Sequence, residues 1–226
     1  YHCFSSYGEQ WGYYSQYMRF MWEAPTGQPY LDLQALIADK PAFVLTTNVD
    51  QQFFRVFPQE QICAFQGDFS YCQCSQPCRD DIWKNRELVK ELTSRLNGVR
   101  LPEEAVPRCP DCGRMLVPWV RDDTFLEGTF WQDSLDRYHA FLRRWLLEQT
   151  GARLARQGLA LDVTPEAIKL IARQGTDRRY GARPLRRTVS AWVEDPAADL
   201  LLSGEAKAGN TILVVPGEGQ VRLQVI

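Results

Sequence analysis

The chain has 226 residues, which allows one large domain or two smaller ones. It is 45% hydrophobic and 24% charged, as globular proteins usually are, and its net charge of −2 favours neither nucleic acid nor a membrane as partner. No apolar run approaches the roughly 20 residues that span a bilayer, and no signal peptide is recognisable. The seven cysteines are too sparse for a secreted disulfide scaffold, so we expect a reducing, cytoplasmic location. The chain starts Tyr1-His2-Cys3 without methionine, which favours a fragment of a longer product.

The first 95 residues predict short helices around a parallel sheet. Trp11, Tyr14, Met18 and Trp22 recur at helical spacing, which indicates a helix packed on a core and not a surface for stacking bases. Continuous apolar residues at 42–45 predict a strand that is covered on both faces. Further elements are predicted as a helix at 31–38, a strand at 62–65 and a polar helix at 86–95.

The polar residues 46–50 follow the first predicted strand. Ligands of open α/β sheets bind beyond the carboxyl ends of the strands, so chemistry is expected here.

Arginine becomes frequent and aromatic residues sparse after about residue 142. Thr164 and Pro165 have the residue types of a helix start, and Gly175 and Gly204 of helix ends. We predict helices at 134–157, 165–175 and 184–202, a strand at 159–163, and a closing hairpin of strands at 211–215 and 220–226. Residues 143–226 are therefore expected to form a small α+β unit.

Four cysteines form two hooks, Cys74-x3-Cys78 and Cys109-x2-Cys112. Each hook brings two sulfur atoms onto one tight turn, and two hooks supply the four thiolates of a closed tetrahedral zinc site. Such a site stabilises structure and leaves no position for catalysis. Two alternatives stay open: disulfides within each hook, and Cys72 as a competing ligand, although Cys72 is better interpreted as a half-buried strand residue.

Residues 1–141 resemble sirtuins, the NAD-dependent deacylases and ADP-ribosyltransferases. The resemblance rests on Phe43-Val-Leu-Thr-Thr-Asn-Val-Asp50, on Gln66-Gly67-Asp68 and on both hooks. The segment from Ala64 to Cys78, the aromatic residues of the first helix and Asp122-Asp-Thr-Phe125 are similar to the macrodomain-linked microbial class.

This resemblance implies that Asn48 orients the ribose and the attacking group, that Asp50 positions the nicotinamide amide, and that Thr47 also contacts the cofactor. Gln66 occupies the position of the catalytic histidine of most sirtuins. An amide cannot accept a proton at neutral pH, which favours ADP-ribosyl transfer over deacylation. In the alternative interpretation, Asn48 and Asp50 only cap the strand.

The resemblance covers only part of the sirtuin pattern. The glycine-rich segment that holds the NAD pyrophosphate is not found in the sequence, and the pattern ends near Leu142. The fold expected for 1–142 is a partial Rossmann-like α/β domain with a zinc-binding insertion, and we expect this chain to bind NAD weakly or not at all.

Residues 146–226 resemble the small C-terminal domain of ClpB-like AAA+ chaperones. Tyr180-Gly-Ala-Arg183-Pro-Leu-Arg-Arg187 is similar to their sensor-2 motif, which implies that Arg183 reaches the γ-phosphate of ATP on a neighbouring subdomain. No G-x-x-x-x-G-K-[ST] phosphate loop occurs, so ATP would have to be held by another chain.

We therefore predict a truncated sirtuin-like domain (1–142) joined to a Clp-type small domain (143–226). The implied partners are a protein substrate or lipoyl-type carrier protein and AAA+ subunits, with no nucleic acid or membrane. Three functions follow: an NAD-dependent transferase impaired by truncation, a chaperone assembly or nucleotide-sensing module, and an inactive fusion that binds only zinc.

Overall fold

The computed structural model describes residues 4–176 and 184–226. The chain divides into two compact units, Tyr1–Ser134 and Leu135–Ile226, which we call the first and the second unit. Among the described residues, no helix combines the length and apolar character needed to cross a membrane. The finer domain limits at 142 and 143 remain a prediction.

Within residues 4–134, the first unit contains five strands and mostly short helices. The helices are α1 (Tyr7–Glu23), α2 (Gln28–Ile37), α3 (Phe53–Val56), α4 (Arg86–Ser94) and the first part of α5 (Thr129–Ala155), with 3-10 turns at Gln59–Gln61 and Glu103–Ala105. The strands are β1 (Val44–Thr46), β2 (Ile62–Ala64), β3 (Gly67–Cys74), β4 (Trp83–Lys84) and β5 (Leu116–Val120). Strands β1 and β2 pair in parallel, and β4-β3-β5 form an antiparallel sheet.

The predicted packing of α1 on a core is confirmed. Ser6 caps the helix by accepting a hydrogen bond from the Glu9 N–H, and the side chains of Trp11 and Met18 are fully buried. The Trp11 indole N–H donates to the Leu116 carbonyl at 2.9 Å, which ties α1 to β5. Burying Trp and Met side chains here stabilises the unit through the hydrophobic effect.

A mixed α/β fold is confirmed, but the Rossmann-like detail is not. The parallel sheet of the first unit has two strands, paired Val44 to Ile62 and Thr46 to Ala64. Two parallel strands are shared by many α/β folds, so they do not identify one.

The second unit has its own sheet and core. Strands β6 (Ala160–Val163), β7 (Thr211–Pro216) and β8 (Val221–Val225) form a sheet in the order β6-β7-β8, with β6 parallel and β8 antiparallel to β7. Helix α6 (Pro165–Gly175) begins as predicted, because Thr164 Oγ1 accepts a hydrogen bond from the Ala167 N–H at 3.2 Å. The buried residues Ile168, Ile171 and Ala172 form its inner face.

The helix predicted at 184–202 is interrupted. It consists of α7 (Leu185–Val189), a π turn (Ser190–Glu194) and α8 (Asp195–Leu202). Pro196 lacks the N–H that would bond the Trp192 carbonyl in an α-helix, and the Asp195 N–H instead bonds the Ser190 carbonyl five residues back. Val189 and Val193 are buried, whereas Leu185, Trp192 and Leu200 are half-exposed.

Candidate cofactor loop and metal centre

Asn48 and Asp50 share one partner, Tyr30, beyond the carboxyl end of β1. The Asn48 Nδ2 donates to the Tyr30 hydroxyl at 2.9 Å, and this hydroxyl donates to Asp50 Oδ2 at 2.5 Å. Burial, followed by the hydrogen bond to Asp50, raises the pKa of Tyr30 to about 12, so the phenol stays neutral and donates. Asn48 is exposed and Asp50 half-buried, so both side chains are accessible to a ligand, and Thr47 is half-buried beside them.

A buried carboxylate anchors the end of this loop. Asp68, 2% exposed, accepts hydrogen bonds from the Gln51 N–H at 3.0 Å and the Ser70 N–H at 2.7 Å. Desolvation raises the pKa of Asp68 to about 6, although the hydrogen bonds from Ser70 and Gln51 oppose the rise. The Asp68 carboxylate thereby fixes the loop of Asn48 and Asp50 to β3.

Gln66 lies in the turn between β2 and β3 and is half-buried. The parallel register of Thr46 with Ala64 places Gln66 at the same sheet edge as Asn48. Gly67 follows with φ +79°, and a Cβ there would lie 2.1 Å from the Trp119 carbonyl oxygen. Only glycine allows this turn, which fixes the backbone of Gln66.

Arg121 is a residue that sequence reasoning missed. Its N–H donates to the Gln66 carbonyl at 2.9 Å, and its guanidinium donates to the Phe65 carbonyl at 3.2 and 3.3 Å. The guanidinium also lies 4.3 Å from the ring centroid of Phe125 and pairs with Glu127 at 2.6 Å. In the sequence, Arg121 stands directly before Asp122 and Asp123. Nothing in this local pattern links Arg121 to Gln66, which lies 55 residues earlier.

The four hook cysteines converge on one point. Their Sγ atoms all lie within 4.8 Å of one another, with Cys74 to Cys112 at 3.5 Å and Cys78 to Cys109 at 3.6 Å. Tetrahedral zinc–thiolate bonds of about 2.3 Å require sulfur atoms about 3.8 Å apart, so this arrangement fits a metal ion.

Strand pairing brings the hooks together. Cys74 ends β3 opposite Leu116 at the start of β5, and the Ser75 N–H donates to the Met115 carbonyl at 3.0 Å. The second hook closes by hydrogen bonds between Cys109 and residues 113 and 114, with Gly113 at φ +70°, a left-handed backbone that glycine adopts readily. Arg79 Nη1 pairs with Asp111 Oδ1 at 2.9 Å and connects the two hooks on the surface.

The distances between the cysteines can be compared with the two alternatives, disulfides within each hook and Cys72 as a competing ligand. The short sulfur–sulfur distances join one hook to the other, which differs from disulfides within each hook, and all six described cysteines are free thiols. Cys72 lies in β3 but is fully buried, not half-buried, and its Sγ lies 3.6 Å from Asn85 Nδ2, outside the four-thiol cluster.

Within the cluster, the Arg114 backbone N–H lowers the pKa of Cys112 to about 6. The thiolate form that binds metal is therefore favoured at Cys112, whereas the hydrogen bond with Cys109 raises the pKa of Cys78 to about 12.

Arg183 lies outside the described residues, so its proposed phosphate contact is a prediction only. The helix that follows it is described, and Glu194 in the π turn pairs with both Arg153 and Arg186. The Glu194 carboxylate therefore joins α5 to α7.

Known proteins match the two parts separately. Residues 143–214 match the family model of the C-terminal D2-small domain of ClpB protein. A "Protein ADP-ribosyltransferase" of Staphylococcus aureus is 29% identical over 147 residues, which are 63% of this chain and 47% of that protein. A "Chaperone protein ClpB" of Aquifex aeolicus is 40% identical over 33% of this chain and 8% of its own length, and a chloroplastic ClpD of Arabidopsis thaliana is 46% identical over 31% and 7%.

The two-part resemblance is thereby confirmed: one part of the chain is similar to a protein ADP-ribosyltransferase and the other to Clp small domains. The chain spans less than half the length of each of these curated relatives.

Proposed function

We propose that the first part of the chain is a sirtuin-like, NAD-dependent region for ADP-ribosyl transfer to a protein side chain, with a lipoyl-type carrier protein as one candidate acceptor. The observation that carries the proposal is the hydrogen-bonded group Asn48–Tyr30–Asp50 at the carboxyl end of β1, in a chain of which 63% is similar to a protein ADP-ribosyltransferase. NAD, when bound, supplies the ADP-ribosyl group.

Each of these side chains has a separate role in the proposed reaction. Asn48 orients the ribose and the acceptor, and Asp50 positions the carboxamide of nicotinamide. The neutral Tyr30 hydroxyl holds Asp50, and the Gln52 N–H donates to the other carboxylate oxygen at 3.1 Å, so the carboxylate is oriented before a ligand arrives. Gln66 hydrogen-bonds a ribose hydroxyl and takes no proton, which favours transfer over deacylation.

Zinc is the metal that we propose for the four-thiol cluster, with a structural role. Four thiolates with no carboxylate, imidazole or open position are a typical structural zinc set, and a reducing cytoplasm keeps them available.

The transferase proposal is tested with the zinc-loaded chain, labelled NAD at millimolar concentration and a lipoyl carrier protein. We expect slow labelling of the carrier, slow because the chain is expected to bind NAD weakly. Asn48→Ala should reduce it at least tenfold, whereas Asn97→Ala, at an exposed asparagine that pairs with Arg100, should not change it. Labelling that is absent, or equal in both variants, would refute the proposal.

We further propose that residues 143–226 act as a Clp-type small domain that packs against AAA+ subunits and directs Arg183 at ATP held by one of them. The match of residues 143–214 to the ClpB D2-small domain supports this second function.

The chain, mixed with a ClpB that lacks its own D2-small domain, should bind it and raise its ATPase rate. Arg183→Ala should remain folded and bind but lose the rate increase, and Arg173→Ala, an exposed arginine of α6, serves as the control. No association in sedimentation would contradict this function.

A further inference from the structure

A cavity of about 570 Å³ lies beside α1, and the proposed functions do not use it. Its volume is in the range of pockets that take a small organic ligand. This α1 cavity is lined by Phe4, Glu9, Tyr13, Gln16, Tyr17 and Val99, all of the first unit. Its lining is accessible from solvent, because Tyr13 is 53% exposed and the residues Phe4, Glu9 and Tyr17 are half-buried.

Three aromatic rings form much of the wall of the α1 cavity. Tyr13 and Tyr17 are one turn apart on α1, and their rings are parallel to within 6°, with centroids 6.0 Å apart. Phe4, in the segment before the helix, has its ring centroid 5.7 Å from that of Tyr13. An edge contact with Phe69 at 5.0 Å holds the Tyr17 ring in place. The faces of such rings carry the negative part of the aromatic quadrupole and therefore attract cations.

The charge near the α1 cavity has the same sign as the ring faces. Glu9 is in the lining, and no lysine, arginine or histidine is found among the described residues of that lining. The Ser5 N–H donates to Glu9 Oε2 at 2.7 Å and the Ser5 hydroxyl donates to the same oxygen, so the carboxylate is oriented before a ligand arrives. Burial, followed by Tyr13 and the charge of Asp50, raises the pKa of Tyr17, so this phenol stays neutral and Asp50 adds negative potential beside it.

This lining distinguishes between classes of ligand. An anion would meet the Glu9 carboxylate and the negative ring faces with no cationic side chain from the described lining to pair with. A neutral apolar group would contact the rings but gain nothing from Glu9. A primary ammonium has the required charge but is strongly hydrated, and the rings cannot replace its water. A trimethylammonium group combines the charge with methyl groups that pack on aromatic faces.

We propose that the α1 cavity binds a trimethylammonium group, with the methyl groups on the rings of Tyr13 and Tyr17 and the charge facing Glu9. The group is carried by a free small molecule or by a trimethylated lysine of a protein. This site is separate from the Asn48–Tyr30–Asp50 group and does not depend on the transferase proposal.

Three small ligands test which property the cavity recognises. They are choline, its neutral carbon analogue in which a tert-butyl group replaces the trimethylammonium group, and ethanolamine, which keeps a charge but lacks the methyl groups. We expect choline to cause saturable shifts of the Tyr13 and Tyr17 ring signals in NMR of the zinc-loaded chain. The affinity of choline should exceed that of each of the other two by about fivefold or more, because only choline combines charge with methyl groups.

Variants separate the aromatic faces from the rest of the helix. Tyr13→Leu should weaken choline binding by about fivefold or more, whereas Tyr13→Phe, which keeps the ring, should change it less than twofold. Tyr7→Leu, at a tyrosine of α1 that is 55% exposed and outside the described lining, is the matched control and should also change it less than twofold. Glu9→Gln should weaken the binding of choline and leave that of the neutral analogue unchanged.

Two peptides identify the source of the group, one with trimethyl-lysine and one with unmodified lysine at the same position. A trimethyl-lysine peptide that binds more tightly than both choline and the unmodified peptide would support a protein side chain, and one that does not would support a small molecule. Equal affinity of the wild type for choline and its neutral analogue would overturn the proposal, as would unchanged choline binding in Tyr13→Leu or the absence of saturable shifts with choline.

Discussion

Two glutamines of the first unit are equally buried but differ in the hydrogen bonding of their side-chain amides. Gln51 and Gln73 are each 1% exposed. Gln73 Nε2 donates to the Thr124 carbonyl at 2.7 Å, and Gln73 Oε1 accepts from the Leu126 N–H at 2.9 Å, whereas the Gln51 amide is unpaired among the described residues. Paired buried amides stabilise a fold, and unpaired ones reduce its stability.

We expect the same substitution to have opposite effects at these two positions. Gln73→Leu should lower the free energy of unfolding by about 1 to 3 kcal/mol, because it removes a buried amide whose two hydrogen bonds hold the Thr124 carbonyl and the Leu126 N–H. Gln51→Leu should be neutral or raise it by up to about 2 kcal/mol, because it removes two unpaired polar atoms. Urea unfolding followed by tryptophan fluorescence measures both, and equal losses would show that Gln51 has a structural partner.

Asp68 predicts a specific pH dependence. Burial raises the folded-state pKa of Asp68 from the ordinary aspartate value of 3.8 to about 6, and the charge of Asp50 adds to the rise. A raised pKa means that protonation favours the folded state. The contribution of Asp68 to the free energy of unfolding is therefore complete below pH 3.8 and is lost as the pH rises through 6. Two units of pKa correspond to about 2 to 3 kcal/mol.

The measurement is the difference in unfolding free energy between wild type and Asp68→Asn at pH 7 and at pH 5. Acid also releases metal from thiolates in both proteins, so the difference between them isolates Asp68. A difference that does not change with pH would contradict the raised pKa, and the ¹³C shift of the Asp68 carboxyl provides a direct check.

At the scale of single elements, α6 has the start that its sequence specifies. Thr164 accepts the Ala167 N–H, and Pro165 occupies the first helical position, where no N–H is needed. Thr164→Ala should therefore lower the stability of the second unit by about 1 kcal/mol. Thr176→Ala at the other end of α6 is the matched control, and equal losses of melting temperature for both would argue against the cap.

Local patterns predicted the elements that depend on neighbouring residues. The spacing of Trp11, Met18 and Trp22 indicated α1, and the residue types of Thr164 and Pro165 indicated the start of α6. The strands β4 and β5 were missed: β4 has two residues, and β5 is defined mainly by its pairing with β3. The π turn was not predicted, because it depends on Pro196, which lies six residues after the first residue of the turn.

The candidate site was predictable only in part, because local sequence patterns do not show contacts between distant residues. Asn48 and Asp50 follow a strand in sequence, so their position could be inferred. Their partner Tyr30 lies 18 and 20 residues away in helix α2, and Asp68 bonds the loop from 17 residues further along the chain. Spacing predicted the cysteine hooks, whereas the pairing of β3 with β5 that joins them is a long-range contact.

At the scale of the whole chain, the two units depend on different sources of stability. The second unit has a hydrophobic cluster of its own, formed by Leu154, Leu159, Ala197, Ala206 and Ile212. In the first unit, Cys74 and Cys109 belong to the same buried cluster as Trp11, Met18 and Leu116. Losing the metal would therefore disturb the packing of the first unit, and the core of the second contains no cysteine.

We expect metal removal to unfold the first unit selectively. Zinc should be bound at one ion per chain, and Cys109→Ser or a strong chelator should remove it together with the folding free energy that binding supplies. Methyl NMR signals of Ile62 and Val89 should then collapse, whereas those of Ile212 and Val214, buried in β7, should persist. Cys63→Ser, at a buried thiol outside the cluster, should keep its zinc. A chain that purifies without zinc, or whose two sets of signals disappear together on chelation, would show that the cluster does not stabilise the first unit in this way.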